Sequence, residues 1–168
     1  MKDIDIQMFS EKYLVKKMND YDVNLIYDFC KENKQFYKYC GKDVSRELIK
    51  QDLLRTPPNI PLEQKHYVGF FEGENLIAIM DLINGYPNEN CAYIGFFMMN
   101  HSMQGKNIGS QIIKDVFAYL KSLDFSVCML GIDKDNPQSN HFWKKNGFKV
   151  IREVQQEQGI ILVAQAEL

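Results

Sequence analysis

The segment with the most chemical content is the small-residue turn Gln104–Ser110, which reads Gln-Gly-Lys-Asn-Ile-Gly-Ser. It lies between a predicted strand, Cys91–Met99, and the start of a helix that apolar periodicity predicts over Ile108–Leu123. The first amides of a helix have no acceptor inside the helix, and that end carries a partial positive charge. A loop without bulky side chains exposes these amides, so the sequence predicts a site for an anionic group such as a pyrophosphate.

The same turn has a simpler interpretation. Gly109 could serve only to let the helix pack closely on the sheet, which would make the segment a glycine-containing connector. The dinucleotide fingerprint needs three glycines as G-x-G-x-x-G, and the P-loop needs G-x-x-x-x-G-K-[ST]. Neither spacing occurs here, so the choice lies between a connector and another kind of phosphate-binding loop.

Two helices and a short strand are predicted in the first part of the chain. Apolar residues recur at helical spacing over Val23–Cys30, and a second helix is expected from about Ser45 to Leu54. This second helix ends at the breaker cluster Thr56–Pro61, because proline lacks the amide that the next turn needs. A short strand is expected near Tyr13–Lys17.

After the prolines the hydrophobic period becomes that of extended chain. The predicted strands are His66–Glu72, Leu76–Ile83, Cys91–Met99, Val127–Ile132, Phe148–Val154 and Ile160–Glu167, and a further helix is predicted between Asn136 and Asn146. Short polar turns favour hairpins, and the central strand, helix and strand form a βαβ unit. We therefore expect an α+β fold in the order ααβββαβαββ, with a mixed, largely antiparallel central sheet flanked by helices and one βαβ crossover.

The composition favours a folded cytoplasmic protein of one domain. Hydrophobic residues are 45% and charged residues 25% of the 168 residues, which is typical of globular domains. The 20 basic against 22 acidic residues give a net charge of −2, without the basic excess of a nucleic-acid binder. No apolar stretch approaches the roughly 18 residues of a membrane span, and residues 1–13 carry acids where a signal peptide is apolar. We expect no nucleic-acid or membrane partner, and a monomer or homodimer.

No metal site is expected. The segment Asp133–Asn136 resembles the start of a calcium loop, but Pro137 takes the third ligand position and Lys144 stands where the bidentate Glu should be. The cysteines do not form the closely spaced pairs of zinc or redox centres. They are expected to be buried free thiols: Cys30, Cys40, Cys91 and Cys128.

The turn and a second motif together resemble the GCN5-related N-acetyltransferases, the GNAT family. That family's acetyl-CoA signature is [RQ]-x-x-G-x-[GA] between the fourth strand and the following helix; Gln104 and Gly109 fit it, and Ser110 follows directly. Asn107 stands where the family usually has its first glycine, which is tolerable if Asn107 adopts the left-handed conformation that Asn enters more easily than most residues.

The second motif lies downstream of the turn. Asn136 is followed by the run Phe142–Phe148, which matches the family's Asn, aromatic pair and Gly-Phe helix end. The match is clearest over Tyr93–Val150. The predicted order of elements extends it to one GNAT-like domain over 1–168, with acceptor-site helices in 1–61 and the sheet and acetyl-CoA-binding part in 62–168.

The resemblance implies transfer of an acetyl group from acetyl-CoA, as co-substrate, to a primary amine of a small molecule or peptide. It places the pyrophosphate on the amides of the loop and the pantetheine beside the end of the fourth strand, with Asn136 and Trp143 on the other side. Asn136 could instead be only a helix cap, and Met98 and Met99 only core. The implied acetyl-CoA residues are Phe97, Met98, Met99, Gln104, Gly105, Lys106, Asn107, Ile108, Gly109, Ser110, Asn136 and Trp143.

The proton-transfer residues of the family are missing. Many members have a Tyr acid four residues before the Gly of the Gly-Phe pair, where this chain has Trp143, and a Glu base on the fourth strand, which here has no carboxylate. Asp81, Tyr93 and His101 are weak candidates for catalysis. They could equally be a solvated acid, a packed aromatic and a surface turn residue.

These departures leave two functions open. The acceptor's neutral amine could attack the thioester directly, aided by positioning and backbone donors. Alternatively, the protein is a non-catalytic acyl-CoA-binding or sensing module. Tyr37 and Tyr39 could line an acceptor pocket or belong to the core.

Overall fold

One mixed sheet organises the chain, and the computed structural model describes all residues, 1–168. Its seven strands are β1 (Leu14–Lys17), β2 (Lys65–Glu72), β3 (Asn75–Asn84), β4 (Cys91–Met99), β5 (Val127–Asp133), β6 (Lys149–Gln156) and β7 (Gly159–Glu167). They lie in the order β1-β2-β3-β4-β5-β7-β6. Only β4 and β5 pair in parallel, and this pair confirms the predicted α+β fold with one βαβ crossover.

Five α-helices cover the sheet: α1 (Val23–Lys31), α2 (Lys34–Cys40), α3 (Arg46–Leu54), α4 (Ile108–Ser122) and α5 (Pro137–Lys145). The predicted order of elements was incomplete, because α2 was not foreseen. This helix has only seven residues, three of them aromatic, and Asn33 makes no side-chain capping bond to its first turn. It is supported by tertiary packing, since the ring of Phe36 lies edge-on to Phe96 with centroids 5.4 Å apart. No helix combines the length and apolarity needed to cross a membrane.

Each face of the sheet has its own hydrophobic core. On one face α4 packs through Ile112, Ile113 and Val116, together with Trp143 of α5. On the other face α1 and α3 pack, with Ile26 and Ile49 fully or almost fully buried. Three of the four cysteines are buried free thiols as expected, whereas Cys40, at the exposed end of α2, is only half-buried.

Strand β4 is irregular at Gly95. Asp81 of β3 pairs with Phe96, but the next residue, Leu82, pairs with Ile94, so that Gly95 is an extra residue on β4. Such a β-bulge bends a strand and locally increases its twist. A side chain has no room at this position, because a Cβ on Gly95 would lie 2.9 Å from the Asp81 carboxylate.

Beyond the bulge, β4 and β5 separate. They pair only from Cys91 and Val127 to Ile94 and Leu130. From Gly95 onward the edge of β4 that faces β5 has no strand partner, so backbone amides and carbonyls along that edge are free to bind something else.

Candidate active site

A cavity of about 810 Å³ lies beside the free edge of β4. Its walls come from the end of β4, the loop that leads into α4, the inner face of α5 and the connection between α1 and α2. Of the twelve residues that the family resemblance implies for acetyl-CoA, only Lys106 does not line it. The structure therefore brings the two sequence motifs to one place.

The loop before α4 presents a row of unused backbone donors. No amide from Gly105 to Ser110 donates a hydrogen bond within the chain, and the ladder begins with the amide of Gln111, 3.2 Å from the carbonyl of Asn107. Two residues with positive φ shape the loop, Gly105 at 72° and Asn107 at 61°. Asn107 thus has the left-handed conformation that the sequence required of it.

Gly109 packs at the foot of α4. It is buried, and a Cβ there would lie 3.2 Å from side-chain atoms of both Met99 and Phe142. The absence of a side chain thus lets α4 approach β4 and α5 closely, as the connector interpretation proposed. Because neighbouring amides of the same turn also remain free, Gly109 does not decide between the two interpretations.

Gln104 joins three parts of the cavity wall. Its amide nitrogen donates to Asn33 Oδ1 at 2.6 Å and also lies 3.4 Å from the Met99 carbonyl. Its Oε1 accepts from Gln138 of α5 at 3.2 Å. The first residue of the loop motif is therefore fixed to both the α1–α2 connection and α5.

Asn136 caps α5 and also borders the cavity. Its Oδ1 accepts from the amide of Ser139 at 3.1 Å, in the usual geometry of an N-cap. The residue is 5% exposed, yet its side-chain nitrogen donates to no group of the protein. This nitrogen is a donor available to a bound molecule.

Aromatic rings form the wall between β4 and α5. Phe97 stacks on Phe142 with centroids 5.8 Å apart, and Trp143 packs against both of these rings and against Phe148. Trp143 is buried. Because indole offers only an N–H donor and is not an acid in the physiological range, the ring is suited to packing and not to proton transfer.

Asp81 does not line the cavity. It lies behind the β4 bulge, where its Oδ2 accepts a hydrogen bond from the buried Lys65 ammonium at 2.5 Å. Its Oδ1 is buried without a partner. Burial raises the pKa of Asp81 above its ordinary value, although the Lys65 charge acts in the opposite direction.

The other two catalytic candidates lie apart from each other. Tyr93 is half-buried against Tyr86, with ring centroids 5.3 Å apart, and is not part of the cavity wall. Burial raises the pKa of the Tyr93 hydroxyl. His101 does line the cavity, from an exposed turn just after β4. The three candidates therefore do not form one catalytic cluster.

Part of the cavity wall was not foreseen from the sequence. The α1–α2 connection at Glu32 and Asn33 lines it, as does the start of α2 through Phe36, whereas Tyr37 and Tyr39 do not. On α5 the unforeseen lining residues are Gln138, Ser139, His141, Phe142 and Lys145. Helical spacing from Asn136 could have identified Ser139 and Phe142, since residues three and four apart share a face.

The chain belongs to the acetyltransferase (GNAT) family, whose sequence profile matches residues 26–148. The fold is similar to that of an acetyltransferase from Thermus thermophilus, at 17% identity and a TM-score of 0.73, with 94% of this chain and 97% of that chain covered. PaiA N-acetyltransferase from Thermoplasma acidophilum, solved in complex with coenzyme A, is 18% identical with a TM-score of 0.67, over 93% and 99% of the two chains.

A third similar structure is a spermidine N-acetyltransferase SpeG chimera from Vibrio cholerae and hSSAT. It is 15% identical, with a TM-score of 0.70 over 94% of this chain and 96% of that chain. No curated protein matches the sequence. At these identities the solved structures establish the fold, and the family assignment comes from the sequence profile.

Proposed function

We propose that the protein is an acetyl-CoA-dependent N-acetyltransferase that acts on a primary amine of a small molecule or peptide. One observation carries the proposal: the free amides from Gly105 to Ser110 open into a cavity that continues along the unpaired edge of β4. Consecutive amides at a helix start suit a diphosphate, and an unpaired strand edge suits an amide-containing arm such as pantetheine. Coenzyme A has both groups in one molecule.

In this proposal the pantetheine arm runs between β4 and α5. The residues Phe97, Met98 and Met99 contact it from β4, while Asn136 donates from the opposite side with its free side-chain nitrogen. Trp143 completes the apolar wall near the thiol. The thioester then lies near the bulge at Gly95, where amides on the free edge can donate to the developing oxyanion.

The chemistry is a direct attack. The neutral amine nitrogen forms a bond to the thioester carbonyl carbon, the carbon–sulfur bond breaks, and the thiolate leaves as coenzyme A. The nitrogen loses its proton to water, and the thiolate is protonated from water. Positioning of the two substrates supplies most of the rate enhancement. Of the three catalytic candidates only His101 lines the cavity, from an exposed turn, whereas Asp81 and Tyr93 do not.

The acceptor enters from the side of the α1–α2 connection in this proposal. Glu32 is the one carboxylate of the cavity wall and lies in that connection, so it is suited to attract an ammonium group. One protein of similar fold is named for spermidine. A cavity wall with one carboxylate does not, however, select a polyamine over another amine.

A second candidate function is an acyl-CoA-binding or sensing module without turnover. It is favoured by one observation, the absence of both usual proton-transfer residues from the cavity wall. The two candidates predict the same cofactor binding and differ only in product formation.

A thiol-release assay separates the candidates. Acetyl-CoA is incubated with the protein and with polyamines, amino acids, aminoglycosides and peptide N-termini in turn. We expect enzyme-dependent release of thiol with at least one amine class, and acetylated amine in equal amount by mass spectrometry. Binding of coenzyme A without release across the whole panel would contradict the proposal and favour the sensing module.

A further inference from the structure

We propose that Lys145, in the last turn of α5, is a phosphate-binding residue held over the loop before α4 by Asn107. The proposal deepens the acetyl-CoA site and rests on the proposed function. The ligand group is the diphosphate of coenzyme A.

The geometry places a free cation at the row of amides. The Lys145 ammonium donates to Asn107 Oδ1 at 2.9 Å, and both residues line the cavity. An ammonium has three donors, so two remain for ligand oxygens. Lys145 takes part in none of the four salt bridges of the protein. Its charge is therefore not neutralised by a carboxylate.

A second contact ties α5 to the other end of the same amide row. Asn146 donates from its side-chain nitrogen to Ser110 Oγ at 3.1 Å. A hydroxyl that accepts a hydrogen bond keeps its own hydrogen for another partner. The end of α5 thus reaches Asn107, the residue before α4, and Ser110, in the first turn of α4. It leaves an ammonium and a hydroxyl hydrogen available beside the amides.

The departure from the family's motif has a consequence for Lys145. Where the family usually has a glycine, Asn107 keeps the left-handed backbone at φ 61° and adds an oxygen acceptor. A glycine would permit the same backbone conformation but would offer Lys145 no side-chain partner. Asn107 is therefore a positioning residue for the ammonium.

The test compares two neighbouring lysines. Lys144 is exposed and does not line the cavity, whereas Lys145 does, so K144M removes the same charge from the same helix. We expect K145M to raise the Kd for coenzyme A about tenfold, as for the loss of one charge-assisted hydrogen bond at a partly exposed site. K144M should change it less than about twofold, because exposed charges outside the site are screened by water and salt.

A double-mutant cycle tests the role of Asn107. N107G retains the backbone conformation and removes the tether, so it should weaken coenzyme A binding by a smaller factor than K145M. In the K145M background the same change should have almost no effect, because the interaction is already lost. Additive effects of the two substitutions would contradict the positioning role.

Two truncated ligands locate the contact. Dephospho-coenzyme A keeps the diphosphate, so K145M should weaken its binding by the same factor as that of coenzyme A. The KM for S-acetyl-N-acetylcysteamine, which has no phosphate, should be unchanged by K145M. Weakening confined to coenzyme A would assign Lys145 to the 3′-phosphate and overturn the proposal. Equal Kd values for K145M and K144M would also overturn it, whereas failure of the wild-type protein to bind coenzyme A would overturn the proposed function itself.

Discussion

The Lys65 ammonium of β2 lies 2.5 Å from Asp81 Oδ2 of β3, and the two side chains are only 2% and 13% exposed. They are diagonal cross-strand neighbours, since Asp81 pairs directly with Tyr67, two residues from Lys65. The pair lies behind the β4 bulge and outside the cavity. The only carboxylate near the end of β3 is therefore occupied with neutralising a buried lysine.

This pair predicts a large effect of Asp81 on stability. D81N leaves the Lys65 ammonium buried without a counter-charge, and breaking a buried pair from one side costs about 3–5 kcal/mol of unfolding free energy. Replacing both residues together, as in K65M/D81L, should cost much less, because no charge remains buried. Urea unfolding of the three proteins measures the difference, and wild-type stability of D81N would contradict a structural role for the pair.

In the proposed direct attack the amine loses its proton to water, so the pH dependence of catalysis should follow the ionisation of the acceptor amine itself. A primary alkylamine has a pKa of about 10.4, so kcat/KM should rise tenfold per pH unit until the pH approaches the acceptor's own pKa. The folded double variant K65M/D81L should show the same slope. An early plateau in the wild-type profile, together with a loss of about 10²–10⁴-fold in this variant, would instead identify Asp81 as the general base.

Trp143 is expected to be a packing residue near the thiol. W143F retains an aromatic ring among Phe97, Phe142 and Phe148, so it should keep activity within a few-fold and lose some stability to the smaller ring. Steady-state kinetics and the Kd for coenzyme A measure this. A loss of kcat of a hundredfold, about 2.7 kcal/mol of barrier, with unchanged Kd would show a direct role for the indole N–H.

His66 predicts a loss of stability in mild acid. Its Nε2 is buried without a hydrogen-bond partner, and burial, with a smaller effect of the Lys17 charge, lowers the pKa of His66 from 6.5 to about 4. As the pH falls, the unfolded state therefore protonates His66 before the folded state does. The stability that the neutral imidazole contributes is complete above pH 6.5 and is lost as the pH falls through about 4.

The expected loss of unfolding free energy is about 2 kcal/mol. This is less than the full pKa shift would give, because the imidazole is partly exposed. Denaturant unfolding between pH 4 and 7 measures it, with H66Q as the variant that cannot titrate. The difference in unfolding free energy between wild type and H66Q should shrink as the pH falls. A difference that does not change with pH would contradict the assignment.

The strands and long helices were predictable because their hydrophobic periods match their environments. For example, α4 has apolar residues at helical spacing and β4 is flanked by turn residues. The helix α2 was not predictable, since its seven aromatic-rich residues have no strong helix signal and depend on the contact of Phe36 with Phe96. Tertiary packing decides such short elements.

The candidate site was predictable only where neighbouring residues in the sequence form a motif. The loop from Gln104 to Ser110 and the cap at Asn136 are local features, and both line the cavity. Three other contacts join residues that are distant in the chain: Lys145 with Asn107, Gln104 with Asn33, and Lys65 with Asp81. No local pattern encodes these contacts, because they depend on how the elements pack.

A substitution at Ser110 can test whether the loop amides bind coenzyme A, because it should favour the folded helix and oppose binding of the ligand. S110D places a carboxylate in the first turn of α4, where it interacts favourably with the helix dipole, but beside the proposed diphosphate. The apo protein should therefore keep its Tm. The matched control is Q111E, which adds the same charge one residue further along, at an exposed position outside the cavity wall.

The most direct measurement is a calorimetric titration of coenzyme A into wild type, S110D and Q111E. We expect saturable binding to wild type and Q111E, and binding at least about a hundredfold weaker to S110D, because a like charge facing the diphosphate costs several kcal/mol. Equal affinity of S110D and wild type, with both proteins folded, would contradict the claim that the diphosphate lies on the amides before α4.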